Sequence, residues 1–145
     1  MFNTAHVIRT CIRCNTPCML ENPMQSLMWS APAISRLVFK DSCQSVLLDQ
    51  CQFGTRWHKR TRIAAWNCID ISSLARLCTG KKGVCSKTSI KHIVLTGRIA
   101  HSNKLWTSIA QEYPRELSQC LASCLVESVQ ANRFLLHSSL LRPRV

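Results

Sequence analysis

Between residues 113 and 131, Leu117, Cys120, Leu121, Cys124, Leu125 and Val129 recur at helical spacing and form one apolar stripe. Pro114 suits the first turn of that helix, and Glu116 suits its N-terminal dipole. A helix with a single stripe has to lay it on another layer, and short apolar runs precede it. Cys18 to Leu20, Ser45 to Leu48, Arg62 to Cys68 and His92 to Gly97 read as strands. Residues 3–14 read as a helix that Asn3 or Thr4 can cap, with Ile8, Cys11 and Ile12 at helical spacing and Asn15-Thr16-Pro17 as its stop. Pro32 to Phe39 reads as a second helix, and Asp49 to Gly54 as a turn. Strands alternating with helices argue an α/β fold. The expected organisation is one domain over residues 1–131 and a basic tail over 132–145 that contains Arg142-Pro143-Arg144.

Nineteen Lys and Arg stand against seven Asp and Glu, a formal charge of +12. Such an excess favours polyanions through phosphate neutralisation and counterion release, so DNA or another nucleic acid is the expected partner. The same charge also fits a basic surface with no specific partner. No run approaches the roughly 18 apolar residues of a membrane span. Met1 to Asn15 contains no apolar signal core, so the expected compartment is intracellular, and nuclear for a eukaryotic DNA-binding protein.

In a reducing compartment, the ten cysteines are expected to be small core residues, metal ligands or nucleophiles. Cys78, Cys85 and His92 follow one another at seven-residue intervals, and Cys68 lies ten residues before them. Cys and neutral His suit tetrahedral zinc, which makes these four a candidate site. The competing reading is a Gly/Lys-rich loop, Gly80 to Gly83, with incidental cysteines. Cys11 and Cys14 have the tighter spacing of common zinc sites but fall on the first helix.

Glu21-Asn22-Pro23 follows the Cys18 run and sits at the C-terminal end of a strand, where chemistry gathers in open α/β sheets. A carboxyl there can hydrogen-bond the Watson–Crick edge of a base that has left its stack. Further on, Gln52-Phe53-Gly54 and Lys59-Arg60-Thr61-Arg62 join a glycine turn to alternating cations before a strand, and Tyr113-Pro114 opens the last helix. In this order, these segments resemble the C-terminal part of cytosine-5 DNA methyltransferase-like domains of the phage and mobile-element type. The resemblance covers roughly residues 5–130 and rests on about 25 positions.

The resemblance implies an incomplete Rossmann-like methyltransferase sheet with flanking helices. It gives Glu21 the contact to a flipped cytosine and Asn22 the task of holding the loop. Arg60 and Arg62 match the family's two arginines, and with Arg56 and Lys59 of the same basic run they form the expected nucleic-acid-binding set. For a basic module without the family's chemistry, Trp57 and Trp66 near that run are the stacking groups. The family's cofactor is S-adenosylmethionine, which needs a Gly-rich turn after a strand, and none of the four glycines opens one. The family's Pro-Cys nucleophile belongs tens of residues before Glu21. The resulting expectation is a truncated methyltransferase-like protein that keeps the base-recognition side, is inactive alone, and depends on a missing N-terminal half or a partner chain. Two alternatives are a small basic nucleic-acid-binding module, zinc-supported, and a reading frame without evolved function.

Overall fold

The computed structural model describes residues 2–40, 42–99 and 102–140, and the side chains of residues 3–40, 42–99 and 102–133. Residues 141–145 of the expected tail, including Arg142-Pro143-Arg144, lie outside the described residues. Helix α1 (Phe2–Arg13) leads to strand β1 (Cys18–Pro23), then helix α2 (Pro32–Val38), strand β2 (Cys43–Asp49) and strand β3 (Arg60–Trp66). A short helix α3 (Trp106–Ile109) and the long helix α4 (Arg115–Leu140) close the chain.

The sheet has the order β1-β3-β2, and β3 is antiparallel to both neighbours. β1 and β2 therefore run in the same direction, joined through α2, with β3 inserted between them. This corrects the expected Rossmann-like sheet: no two neighbouring strands among the described residues are parallel. The mixed α/β class stands.

Both sheet faces are covered. On one, Trp66, Ala64 and Leu20 meet Ile8 of α1 and Ile34 and Leu37 of α2. On the other, Ile63, Ala65 and Leu48 meet Phe53, Ile71 and the Leu117 side of α4. Trp66 and the three residues before it are fully buried, so β3 reads as a continuous apolar run rather than an alternating one. The register of β1 on β3 sets Cys18 facing Trp66, Glu21 facing Ile63 and Pro23 facing Thr61.

The stop after α1 is a Schellman turn. Asn15 adopts φ 49°, Thr16 N–H donates to Cys11 O at 2.9 Å, and Asn15 N–H donates to Ile12 O at 3.3 Å. Asn tolerates the left-handed conformation, which costs other side chains about 1–2 kcal/mol. Asn15→Ala is expected to lower the unfolding free energy by about 1 kcal/mol, read from the urea midpoint at constant m-value; an unchanged midpoint rejects the motif's role.

Three boundaries differ from the sequence reading. β3 ends at Trp66, not Cys68, because Asn67 turns at φ 54° and its amide donates to Cys11 O and Thr16 O. α4 runs past residue 131 to Leu140, so the boundary expected there does not coincide with a helix end. Its stripe also veers: Ser128 is buried and Val129 is 37% exposed. Ser128 Oγ donates to Cys124 O and accepts from Ile69 N–H, which fastens α4 to the segment after β3. Finally, the expected strand from His92 to Gly97 is a loop that makes one isolated bridge, Trp57 with Ile93. His92 N–H bonds Gly83 O, and its ring turns toward a cysteine cluster instead of a sheet edge.

Candidate metal centre and the rim of the sheet

β1 and β2 both end at the same rim of the sheet, where β3 begins. Directly after β2, a 3₁₀ turn (Gln50–Phe53) closes on Gly54, whose φ of 97° lets the chain reverse. Cys51 lies in that turn and is fully buried. The loop from Cys78 to His92 folds over it. The ligand atoms of Cys51, Cys78, Cys85 and His92 all lie within 4.8 Å of one another, and this group could hold a metal ion. Cys78 Sγ is 3.9 Å from His92 Nε2. Bond lengths of about 2.3 Å to sulfur and about 2.0–2.1 Å to nitrogen give tetrahedral edges of roughly 3.6–3.8 Å, so a small contraction of the cluster closes the shell.

The loop backbone is shaped around sulfur. Ser86 donates to Cys78 Sγ through its N–H at 3.4 Å and its hydroxyl at 3.5 Å. Burial pushes the Cys78 thiol up, but these bonds and one from Gly80 N–H outweigh it and bring Cys78 down to about 6. Burial also opposes ionisation of Cys85, yet the amides of Thr88 and Lys87 hold it below the ordinary thiol range. Cys51 is pushed up to about 12, first by burial and further by Cys78 and Cys85 crowding it. Cys78 and Cys85 are thus both eased toward ionisation, while Cys51 needs a cation to lose its proton. Gln52 Nε2 lies 3.6 Å from Cys51 Sγ and 3.8 Å from Cys85 Sγ, a further donor around the sulfurs.

Sequence spacing identified three of these four ligands and replaced Cys51 with Cys68. Cys68 lies outside the cluster: its thiol donates to Trp66 O and Cys18 O, and burial pushes it up. The two positions belong to opposite ends of the sheet, because antiparallel pairing carries the chain from the rim at Arg60 to the far end at Trp66. The usable signal was the turn itself, a cysteine at the C-terminal end of a buried strand followed by Gly54. Cys11 and Cys14 do not join a metal group among the described residues.

The rest of the rim carries the expected nucleic-acid residues. Glu21 points to the α4 face, where the Tyr113 hydroxyl donates to its Oε2 at 2.5 Å. Its Oε1 is shielded from solvent and has no hydrogen-bond partner among the described residues. Burial and the nearby Glu21 charge push the Tyr113 phenol well above its ordinary range, so it stays a donor. Asn22 lies on the opposite face, where its amide donates to Met28 Sδ at 3.4 Å, and Trp29 Nε1 donates to Pro23 O at 2.9 Å. Together they hold the loop that follows Glu21.

The expected cations are divided. Arg60 makes a bidentate pair with the fully buried Asp49, at 3.0 and 2.9 Å. Arg62 shares its face, donates to Ser45 Oγ and lies 5.0 Å from the centre of the Trp29 ring. Lys59 Nζ donates to Ala110 O, and Arg56 is exposed. Trp57 is half-buried beside Arg56, whereas Trp66 is in the core and reaches no surface. The sequence places Asp49 at the start of a turn and His58 in the basic run, and the fold brings the two together. His58 Nε2 is 3.0 Å from Asp49 Oδ1, and the two imidazoles of His58 and His92 are 5.3 Å apart. Pro23, Met24, Gln25, His58 and Arg60 line an open cleft along this rim.

The chain matches no protein-family model, and no curated protein or solved structure is significantly similar to it. No helix among the described residues is long and apolar enough to cross a membrane.

Proposed function

We propose that this chain is a zinc-stabilised, basic nucleic-acid-binding domain whose sheet rim reads an unstacked base, in the manner of the base-recognition side of a cytosine-5 DNA methyltransferase-like unit. One observation carries the reading. Glu21 has one carboxylate oxygen fixed by Tyr113 and the other buried without a donor among the described residues. An unsatisfied buried oxygen costs about 1–3 kcal/mol, more when charged, and turning the carboxyl out to the rim, where a base edge offers N–H donors, relieves that cost.

Zinc suits the cluster because three sulfurs and one imidazole form a soft, four-coordinate set. Four protein ligands leave no open position, so the metal shapes the rim and performs no chemistry. S-adenosylmethionine does not fit these residues: Gly54 caps a 3₁₀ turn, Gly80 and Gly83 belong to the cysteine loop, and Gly97 sits in a bend. A methyl-transfer step is therefore not assigned to this chain by itself; the cofactor and nucleophile would have to come from another segment or chain.

Two measurements test the reading. Elemental analysis of purified protein is expected to find one zinc per chain, and a small fraction of one ends the zinc assignment. In a salt titration, a fluorescent single-stranded oligonucleotide is expected to bind at low salt and to be released as salt rises. Glu21→Gln keeps the shape but replaces an acceptor oxygen with a donor. It should reduce the preference for a cytosine over an abasic position by about tenfold, the scale of one good base contact. Wild-type protein that binds both oligonucleotides equally defeats base reading, and no binding at low salt defeats the nucleic-acid reading altogether.

A further inference from the structure

We infer that Asp49 couples the metal centre to the cationic rim, so that metal occupancy sets nucleic-acid affinity through this one buried carboxylate. The inference rests on the nucleic-acid-binding reading above and adds its regulation. Asp49 is fully buried at the end of β2, two residues before Cys51. Its Oδ2 accepts from Cys78 N–H at 2.8 Å and from Arg60 Nη2 at 2.9 Å. Its Oδ1 accepts from Arg60 Nε at 3.0 Å, and His58 Nε2 lies at 3.0 Å from it. Its own N–H donates to Arg76 O at 2.9 Å. One carboxylate therefore joins the backbone of a metal ligand to Arg60 and His58, which line the cleft beside Pro23.

A buried carboxylate is stable only while its donors stay in place. The donor from Cys78 belongs to a loop with little apolar burial of its own. From residue 79 to residue 91, Cys85 is the single buried residue, so the ligand group is what ties this loop down. Without the metal nothing joins Cys78 and Cys85 to Cys51 and His92, so the loop is released and Cys78 N–H leaves Asp49. Oδ2 then loses a donor, and Arg60 and His58 shift toward the carboxylate and away from the cleft. The metal thereby acts on the cleft with none of its ligands lining it.

The test compares zinc-loaded and chelator-stripped protein binding to the same fluorescent single-stranded oligonucleotide. Zinc is expected to tighten wild-type binding by about tenfold, the weight of a charge-assisted contact. Zinc-loaded Asp49→Asn is expected to bind as weakly as stripped wild type and to respond less than twofold to stripping. The Arg60 Nε–H resonance of wild-type protein should move on zinc addition, a signature that general loosening of the loop would not give. Equal binding by loaded and stripped wild type overturns the coupling, as does Asp49→Asn that retains the full zinc response. If Asp49→Asn takes up no zinc, the Arg60 resonance decides, and a signal that ignores zinc overturns the proposal. Failure of loaded wild type to bind the oligonucleotide at all removes the nucleic-acid reading, while the Arg60 resonance still tests the link.

Discussion

Gly80→Ala should abolish metal binding while leaving the sheet folded. A Cβ at position 80 would meet Val84 O at 1.8 Å and Ser86 N at 2.9 Å, both backbone atoms. No rotamer change relieves such a contact, so the turn must open. The atoms that would move are those that organise Cys78: Gly80 N–H and Ser86 N–H both donate to its sulfur. Loss of outer hydrogen bonds around a metal ligand typically costs 10–100-fold in affinity, and displacement of the turn adds to that. We expect metal affinity to fall by at least about 100-fold, measured by competition with a chromophoric chelator. The far-ultraviolet circular dichroism should be nearly unchanged, because the sheet and α4 lie outside this loop. Full-affinity binding by Gly80→Ala would mean that the loop geometry around Cys78 is not the metal-bound one.

Trp66→Ala should unfold the domain or bring it close to unfolding. Trp66 is fully buried between α1 and α2, and its indole N–H donates to Leu37 O at 3.1 Å. Large-to-small changes at such positions cost about 3–5 kcal/mol, and the carbonyl left without its donor adds about 1 kcal/mol or more. Native domains have only about 5–15 kcal/mol in total. The expected result is a drop in melting temperature of more than about 15 °C, read by circular dichroism in the presence of zinc. A loss of only a few degrees would mean that the face built on α1 and α2 is not the main core.

Local patterns gave most of the elements, and pairing between distant segments gave the rest. α1, α2 and α4 follow from apolar spacing and from local signals such as the stop at Asn15 and the start at Pro32, which act within a few residues. β1 and β2 were legible as short apolar runs. The antiparallel insertion of β3 was not, because strand order depends on which partners share a hydrogen-bonded edge. Cys78, Cys85 and His92 were found because they share one loop. Cys51 is brought to them by the end of β2, 27 residues before Cys78 in the chain, and Cys68 is the nearer cysteine in sequence but the farther one in space. Ser128 escaped for a related reason: periodicity rates a serine as polar, while the Ile69 amide needs an acceptor at that point of α4.

The central place of β3 dictates an order of events as the chain is made. β1 and β2 have no hydrogen bonds to each other, so neither can enter a sheet until residues 60–66 have emerged. Until then, two apolar strands wait with both edges bare, and the metal group lacks three of its four members. Sheet closure and metal capture thus fall mid-chain, the sheet first and the metal group after, with His92 the last ligand to arrive. During that interval the nascent chain is most exposed to pairing with its neighbours. Zinc supplied during synthesis, rather than after purification, should therefore give the higher yield of soluble protein.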